Sequence, residues 1–369
     1  MIFLGAGASK VFGVKTMQDL TRDLVQKMRD KGYGETIDGI LDALKHYEIT
    51  PDFENIYTTL LALANLKEGI KKSGALTAYI ASKCNFEYFK GDSAYDDEYE
   101  NLLSEFRNLI YEECSIPRGV VENNRNIFDR LFKITQEFNE TRILTSKLGT
   151  TGEVQISVGD TIATTNYDVA VELYHRWTSS SLSDGFKTTR KEYTKELDFY
   201  EYGRNPNSRW LIKLHGSIWQ FKQEDKTIQT ISDPKSLPLN ISVGDQMMIY
   251  PVGEKPILQD PYFSFYSIFK EQPWQVLIAI GYSFRDEPVN TAILERLNSR
   301  PPPKAKLIVV NPQAEDVIAN LGPLTPKLNE RVIRISESFR DDIPLFEKIK
   351  TAIGASDWTD FKRIVGIKS

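Results

Sequence analysis

The chain opens Met1-Ile2-Phe3-Leu4-Gly5-Ala6-Gly7-Ala8-Ser9, and the reading of the fold starts there. A short apolar run breaks into a glycine turn, and after Thr16 the sequence turns amphipathic. The pattern predicts strand, turn, helix, an arrangement that brings backbone N–H groups and a helix N-terminus toward a phosphate. Gly5 and Gly7 lack the Cβ atoms that would hold a pyrophosphate away. Lys10 stands where the third glycine of the dinucleotide fingerprint would fall, so an ordinary strand-to-helix turn stays open as the alternative.

Working outward, the same grammar recurs. Thr161 to Thr165 is a short β-branched strand that stops at Asn166-Tyr167-Asp168, with a helical stretch from Val169 to Tyr174. Trp210 to Leu214 is a strand that stops at His215-Gly216-Ser217. Val276 to Ile280 runs into Gly281-Tyr282-Ser283-Phe284, then a helix from Pro288 that Pro301-Pro302-Pro303 ends. Leu307 to Val310 stops at Asn311, and Val332 to Ile335 is a last strand before closing helices. Strands alternating with helices predict an α/β fold, a Rossmann-like parallel sheet with helices on both faces.

The intervening stretches are less regular. Residues 35–115 read as helical, with apolar stripes such as Phe53, Ile56, Leu60 and Leu102, Phe106, Leu109 and a polar surface connection from Gly91 to Glu100. We expect a core over 1–34 and 116–335, an inserted helical subdomain over 35–115, and C-terminal helices over 336–369. Ser179 to Asp184 reads as a polar loop, and Trp219 to Asp260 only as turns and short hairpins.

Composition bounds the function. Of the 369 residues 41% are hydrophobic, enough for a sizeable core, and a net charge of −5 disfavours a general nucleic-acid coat. Cys84 and Cys114 are too few for a four-thiolate zinc site, and no metal is expected. No apolar run reaches membrane-spanning length and no basic region precedes the first one, so we expect a soluble cytoplasmic protein.

Ser9, Asn166, Asp168, His215, Ser283 and Asn311 each follow an apolar strand. If those strands are parallel, all six face one crevice beyond the carboxyl ends, where such sheets bind ligands. His215 suits proton transfer near neutral pH, or is a structural histidine at a strand end. Asn166 can orient a water by donating and accepting at once, or is a turn asparagine. Asp168 can equally cap the next helix. Arg285, Asp286 and Glu287 read as a salt-bridged or solvated loop, His46 and His175 as surface or packing residues, and Tyr262 to Phe269 as a packing face.

These segments resemble the sirtuin superfamily: Gly5-Ala6-Gly7-Ala8-Ser9 its glycine turn, Thr165-Asn166-Tyr167-Asp168 its Thr-Gln-Asn-x-Asp segment, His215-Gly216 its catalytic pair, and Val310-Asn311 its ribose-binding strand end. Leu214-His215-Gly216-Ser217 and Gly281-Tyr282-Ser283-Phe284-Arg285-Asp286 are similar to the sirtuin-like NAD-hydrolysing proteins of bacterial anti-phage defence. The zinc ribbon of the deacylases has no counterpart, since no cysteine follows Cys114. The resemblance implies NAD as substrate and an NAD glycohydrolase, with Asn166 and His215 catalytic. It places Gly5, Ala6, Gly7, Ser9, Asp168, Gly281, Ser283 and Asn311 on the dinucleotide. It also implies self-assembly and a partner of the HerA-type hexameric ATPase class. The alternative is a non-catalytic module that senses NAD or an ADP-ribose derivative.

Overall fold

The computed structural model describes residues 1–73, 96–145, 151–188, 194–204, 208–222, 228–231, 246–248, 261–272, 274–299 and 305–366. Its centre is a seven-stranded sheet. The strands are β1 (Ile2–Leu4), β2 (Thr161–Thr164), β3 (Leu182–Ser183), β4 (Arg209–Lys213), β5 (Val276–Ile280), β6 (Lys306–Val310) and β7 (Val332–Ile335). Across the sheet they run β7-β6-β5-β1-β2-β4-β3, and every pairing is parallel. This is the α/β, Rossmann-like architecture expected from the sequence.

The central strands β1, β5 and β6 are apolar on both sides because each side meets a different layer. Met1, Phe3, Leu277, Ala279, Leu307 and Val309 face one core; Ile2, Leu4, Ile278, Ile280, Ile308 and Val310 face the other. The first core is covered by the helices Tyr262–Glu271, Glu287–Asn298 and Ala314–Ala319. The second is covered by helices that include Met17–Met28, Gly34–His46, Phe53–Ser73, Asp96–Cys114, Arg125–Thr135, Ala170–Trp177 and Ile343–Gly354. The helical stretch expected over 35–115 thus shares one apolar core with the sheet.

Several elements differ from the expectation. Ser179 to Asp184 contains the edge strand β3, which pairs with the start of β4. Five further strands form an antiparallel sheet in the order Gln246–Met248, Gly216–Lys222, Ile228–Ile231, Thr194–Leu197, Phe186–Thr188. The short hairpins expected after Trp219 form part of this sheet; mixed polar and apolar residues and short lengths hide the period-two alternation on which a strand assignment rests. Residues 139–145 and 151–157 pair as another hairpin. The polar connection expected at 91–100 belongs in part to a helix that begins at Asp96; Gly91 to Tyr95 and the 301–303 proline run lie outside the described residues. The Met17–Met28 helix passes into a π-type turn with Gly32 at φ +93°, and Gly34 opens the next helix.

From β1 the chain moves to β2 on one side and returns much later to β5 on the other, so the connection order reverses at β1. The carboxyl ends of β1, β2, β4, β5 and β6 all open on one edge. That edge carries Gly5, Asn166, His215, Gly281 and Asn311, as the parallel arrangement requires.

Candidate active site

The glycine turn is built by backbone packing. After β1 the chain makes a four-residue helical turn, Ala6–Ser9, and the longer helix begins only at Met17, capped by Thr16. The β5 loop lies directly against this turn. Gly5 N donates to Ile280 O and Gly7 N donates to Gly281 O, both at 2.9 Å. A Cβ on Gly5 would sit 2.5 Å from Tyr282 Cα, and one on Gly7 2.8 Å from Gly281 Cα. Gly281 itself has φ +62°, and its Cβ would fall 2.2 Å from Ala8 N. The glycines therefore let two loops from distant parts of the chain touch backbone to backbone.

Asn166 is 8% exposed and leaves β2 toward this turn. Its Nδ2 donates to Gly5 O at 2.9 Å and to Ser9 Oγ at 2.8 Å. Thr164 Oγ1, which donates to Leu4 O at 2.8 Å, accepts from Asn166 N at 3.0 Å. Both amide hydrogens of Asn166 are committed to protein, so its remaining capacity toward a ligand is to accept through Oδ1. Donating and accepting at once, as read from the sequence, is not the geometry found.

Asp168 follows, also buried, and its Oδ1 accepts from Ala170 N at 3.0 Å at the start of the Ala170–Trp177 helix. Behind it Lys213 is 2% exposed. The ammonium donates to Asp168 O and lies 3.3 Å from Glu172 Oε1. Burial pushes the Glu172 carboxyl above its usual range, and Lys213 opposes that shift. A small cavity under Asn166 is lined by Ser9, Phe12, Asp168, Glu172 and Lys213, among others. Tyr167 turns the other way, donating to Glu54 Oε1 at 2.8 Å on the Phe53–Ser73 helix.

His215 stands between two sheets. It follows β4, and Gly216, at φ +81°, turns the chain into the Gly216–Lys222 strand of the antiparallel sheet. The left-handed φ favours glycine, which accounts for the His-Gly pairing. His215 is 5% exposed, and its Nε2 hydrogen-bonds Asp286 Oδ2. Asp286 is 4% exposed and also caps the Glu287–Asn298 helix, its Oδ1 accepting from Val289 N at 3.2 Å. Of the salt-bridged or solvated loop expected over 285–287, Arg285 and Glu287 are exposed, while Asp286 is buried and paired with His215. An aspartate ahead of Glu-Pro-Val is a recognisable N-cap, but nothing local shows that its second oxygen reaches a histidine 71 residues away.

Asn311 and Ser283 sit at the rim. Asn311 Oδ1 accepts from Gln313 N at 2.9 Å, and its Nδ2 donates to Tyr282 O at 3.3 Å. Among the expected residues, Ser9, Asn166, Asp168 and His215 are buried, while Ala6 is exposed and Gly7, Gly281, Ser283 and Asn311 are half-buried. His175 is a packing residue, buried with Nδ1 2.7 Å from Ser180 Oγ. Phe265 and Phe269 pack in the core, as expected of their helix. Among the described residues no cluster of three or more histidine, cysteine or acidic side chains has the geometry to hold a metal, and no helix is long and apolar enough to cross a membrane.

The arrangement offers an imidazole held by a carboxylate, an amide oxygen at the neighbouring strand tip, and a half-open rim of glycine turn and β5 loop. No curated protein matches the chain. One family model does, over residues 160–329, a span that contains Asn166, Asp168, His215, Gly281, Ser283, Asp286 and Asn311 and leaves β1 and β7 outside. That model is the SIR2-like domain, so the chain carries a match that supports the sirtuin-like reading and is compatible with NAD-related activity.

Proposed function

We propose that the protein is an NAD glycohydrolase. Water replaces nicotinamide at C1′ of the ribose, giving ADP-ribose, nicotinamide and one proton. The observation that supports this reading is that β2 and β4 are adjacent and in register, Thr164 opposite Lys213, with Asn166 and His215 each two residues beyond that last pair. The bond to be broken resembles a glycoside, with an oxocarbenium-like ribose in the transition state. Nicotinamide leaves as a neutral base and needs no acid. His215 takes the proton of the attacking water or of a ribose hydroxyl. Asn166 Oδ1 accepts one hydrogen of that water and turns a lone pair toward C1′. Asp168 and Ser9 lie at the buried end, suited to the nicotinamide ribose. Ala6, Gly7, Gly281, Ser283 and Asn311 form the accessible rim, suited to pyrophosphate and the adenosine ribose.

In the cell this reading makes the chain a cytoplasmic anti-phage effector that depletes NAD, self-assembled and controlled by a HerA-type ATPase. Those roles rest on the resemblance.

The sensor reading has one observation in its favour, the commitment of both Asn166 amide hydrogens and of His215 Nε2 to protein partners. The test is chromatographic: the purified chain, alone and with the product of the neighbouring gene, is incubated with NAD. Nicotinamide release that His215→Ala abolishes supports hydrolysis. Tight NAD binding without release in either mixture selects the sensor.

A further inference from the structure

We propose that Asp286 is the positioning residue for His215, and that the strained loop from Gly281 to Asp286 is built to deliver its carboxylate. Its consequence for turnover rests on the hydrolase reading, whereas the effect on the imidazole does not.

The loop starts at β5 and the histidine follows β4, three strand positions away across β1 and β2. At the usual strand spacing that is about 14 Å, covered by the loop and two side chains together. An aspartate that only capped its helix would use one oxygen and lie at the surface. Here Oδ1 caps the helix and Oδ2 is buried on the imidazole. The path to that position is costly for the backbone: Phe284 is fully buried at φ +52°, a region that bulky residues avoid. Three asparagines hold the loop in it by donating to consecutive carbonyls. Asn311 Nδ2 reaches Tyr282 O at 3.3 Å, Asn320 Nδ2 reaches Ser283 O at 2.9 Å, and Asn290 Nδ2 reaches Phe284 O at 2.7 Å. Strain persists where the surroundings over-determine it, and such places concentrate at functional sites.

An ionised carboxylate only accepts, so His215 Nε2 carries the hydrogen of this bond. The neutral imidazole then has its lone pair on Nδ1, and the imidazolium formed on proton uptake is stabilised by Asp286. Three polar groups nearby have partners of their own. Lys213, on the same strand, is turned to Glu172 and Asp168 O; the Asp168 carboxylate is on Ala170 N; and Tyr167, whose ring centre is 6.3 Å from that of His215, donates to Glu54.

The chain has three histidines, so His215 is assigned in nitrogen-15 NMR spectra by comparison with His215→Gln. In the full-length wild type we expect the Nε2–H tautomer. Asp286→Asn should lower the proton affinity of His215 by at least about tenfold, the ordinary effect of losing one adjacent carboxylate. It should lower kcat for NAD about a hundredfold with KM within threefold, while Glu287→Gln on the exposed neighbour changes neither. An Nδ1–H tautomer in the wild type overturns the proposal without any variant, which covers the case of an Asp286→Asn protein that does not fold. An unchanged titration, or a higher kcat because the carboxylate merely blocks the site, overturns it equally. A titration shift in a protein that never releases nicotinamide upholds the positioning and rejects the hydrolase.

Discussion

Asn166 Nδ2 donates to Ser9 Oγ at 2.8 Å, joining β2 to the glycine turn across 157 residues of chain. Together with its bond to Gly5 O this fixes the side chain from two directions. Asn166→Ala removes the donor to Ser9 Oγ and one of the two donors to Gly5 O, which keeps Ala8 N, and should cost about 1–3 kcal/mol. Asn166→Asp should be worse at equal volume, because a carboxylate cannot donate and faces the Gly5 carbonyl. Denaturant melts of the two variants check this order; equal stability of Asp and wild type would refute it. Both should lose nicotinamide release.

The contact between the two glycine-bearing loops is equally testable. Gly5→Ala places a methyl 2.5 Å from Tyr282 Cα, against backbone that cannot rotate away. The expected loss is about 3 kcal/mol or more. Gly119→Ala, whose new Cβ meets nothing within 4 Å, is the control and should be near neutral. Comparable midpoints for the two variants in thermal unfolding would mean that the loops are not packed as described.

His175 supplies the pH dependence. Burial first, and the Arg209 cation second, lower its imidazole from 6.5 to about 3. Between those values the unfolded chain binds a proton that the folded chain refuses, so stability falls as the pH drops from 6.5 toward 3. His175→Gln should be less stable at neutral pH, through lost packing against Phe132 and Tyr174, and should show a shallower acid slope. Melts at half-unit intervals give the comparison, and parallel slopes would exclude His175 as the source.

Lys213 is the fourth target. Lys213→Met removes one half of a buried pair and should destabilise by about 3 kcal/mol, the usual cost of stranding the other charge. Lys213→Met combined with Glu172→Gln should recover part of that loss. A single variant as stable as wild type would show that Glu172 does not depend on the ammonium. Since Lys213 also donates to Asp168 O, nicotinamide release should fall in both.

What was legible locally was the parallel sheet apart from its edge strand β3. Its central strands are doubly buried, so Val276–Ile280 and Leu307–Val310 are unbroken apolar runs, and each ends at a Gly or Asn that begins a turn. The antiparallel sheet was legible only as short hairpins after Trp219, because strands such as Gly216–Lys222 mix Ser, Gln and Lys with Ile, Trp and Phe and carry no clean alternation. Asp286 shows the same limit at the level of one side chain. Its N-cap role is local and readable, while its bond to His215 exists only because β5 and β4 lie on opposite sides of β1.

The sequence by itself determined which residues stand at strand ends, since apolar periodicity and turn residues act over a few positions. Only the tertiary structure decided which of those ends meet. It turned Gly5 and Gly7 toward the β5 loop, committed both hydrogens of Asn166, and brought a carboxylate onto His215. Each is a contact between segments far apart in the chain, set by strand order and by the burial of polar groups that must find partners.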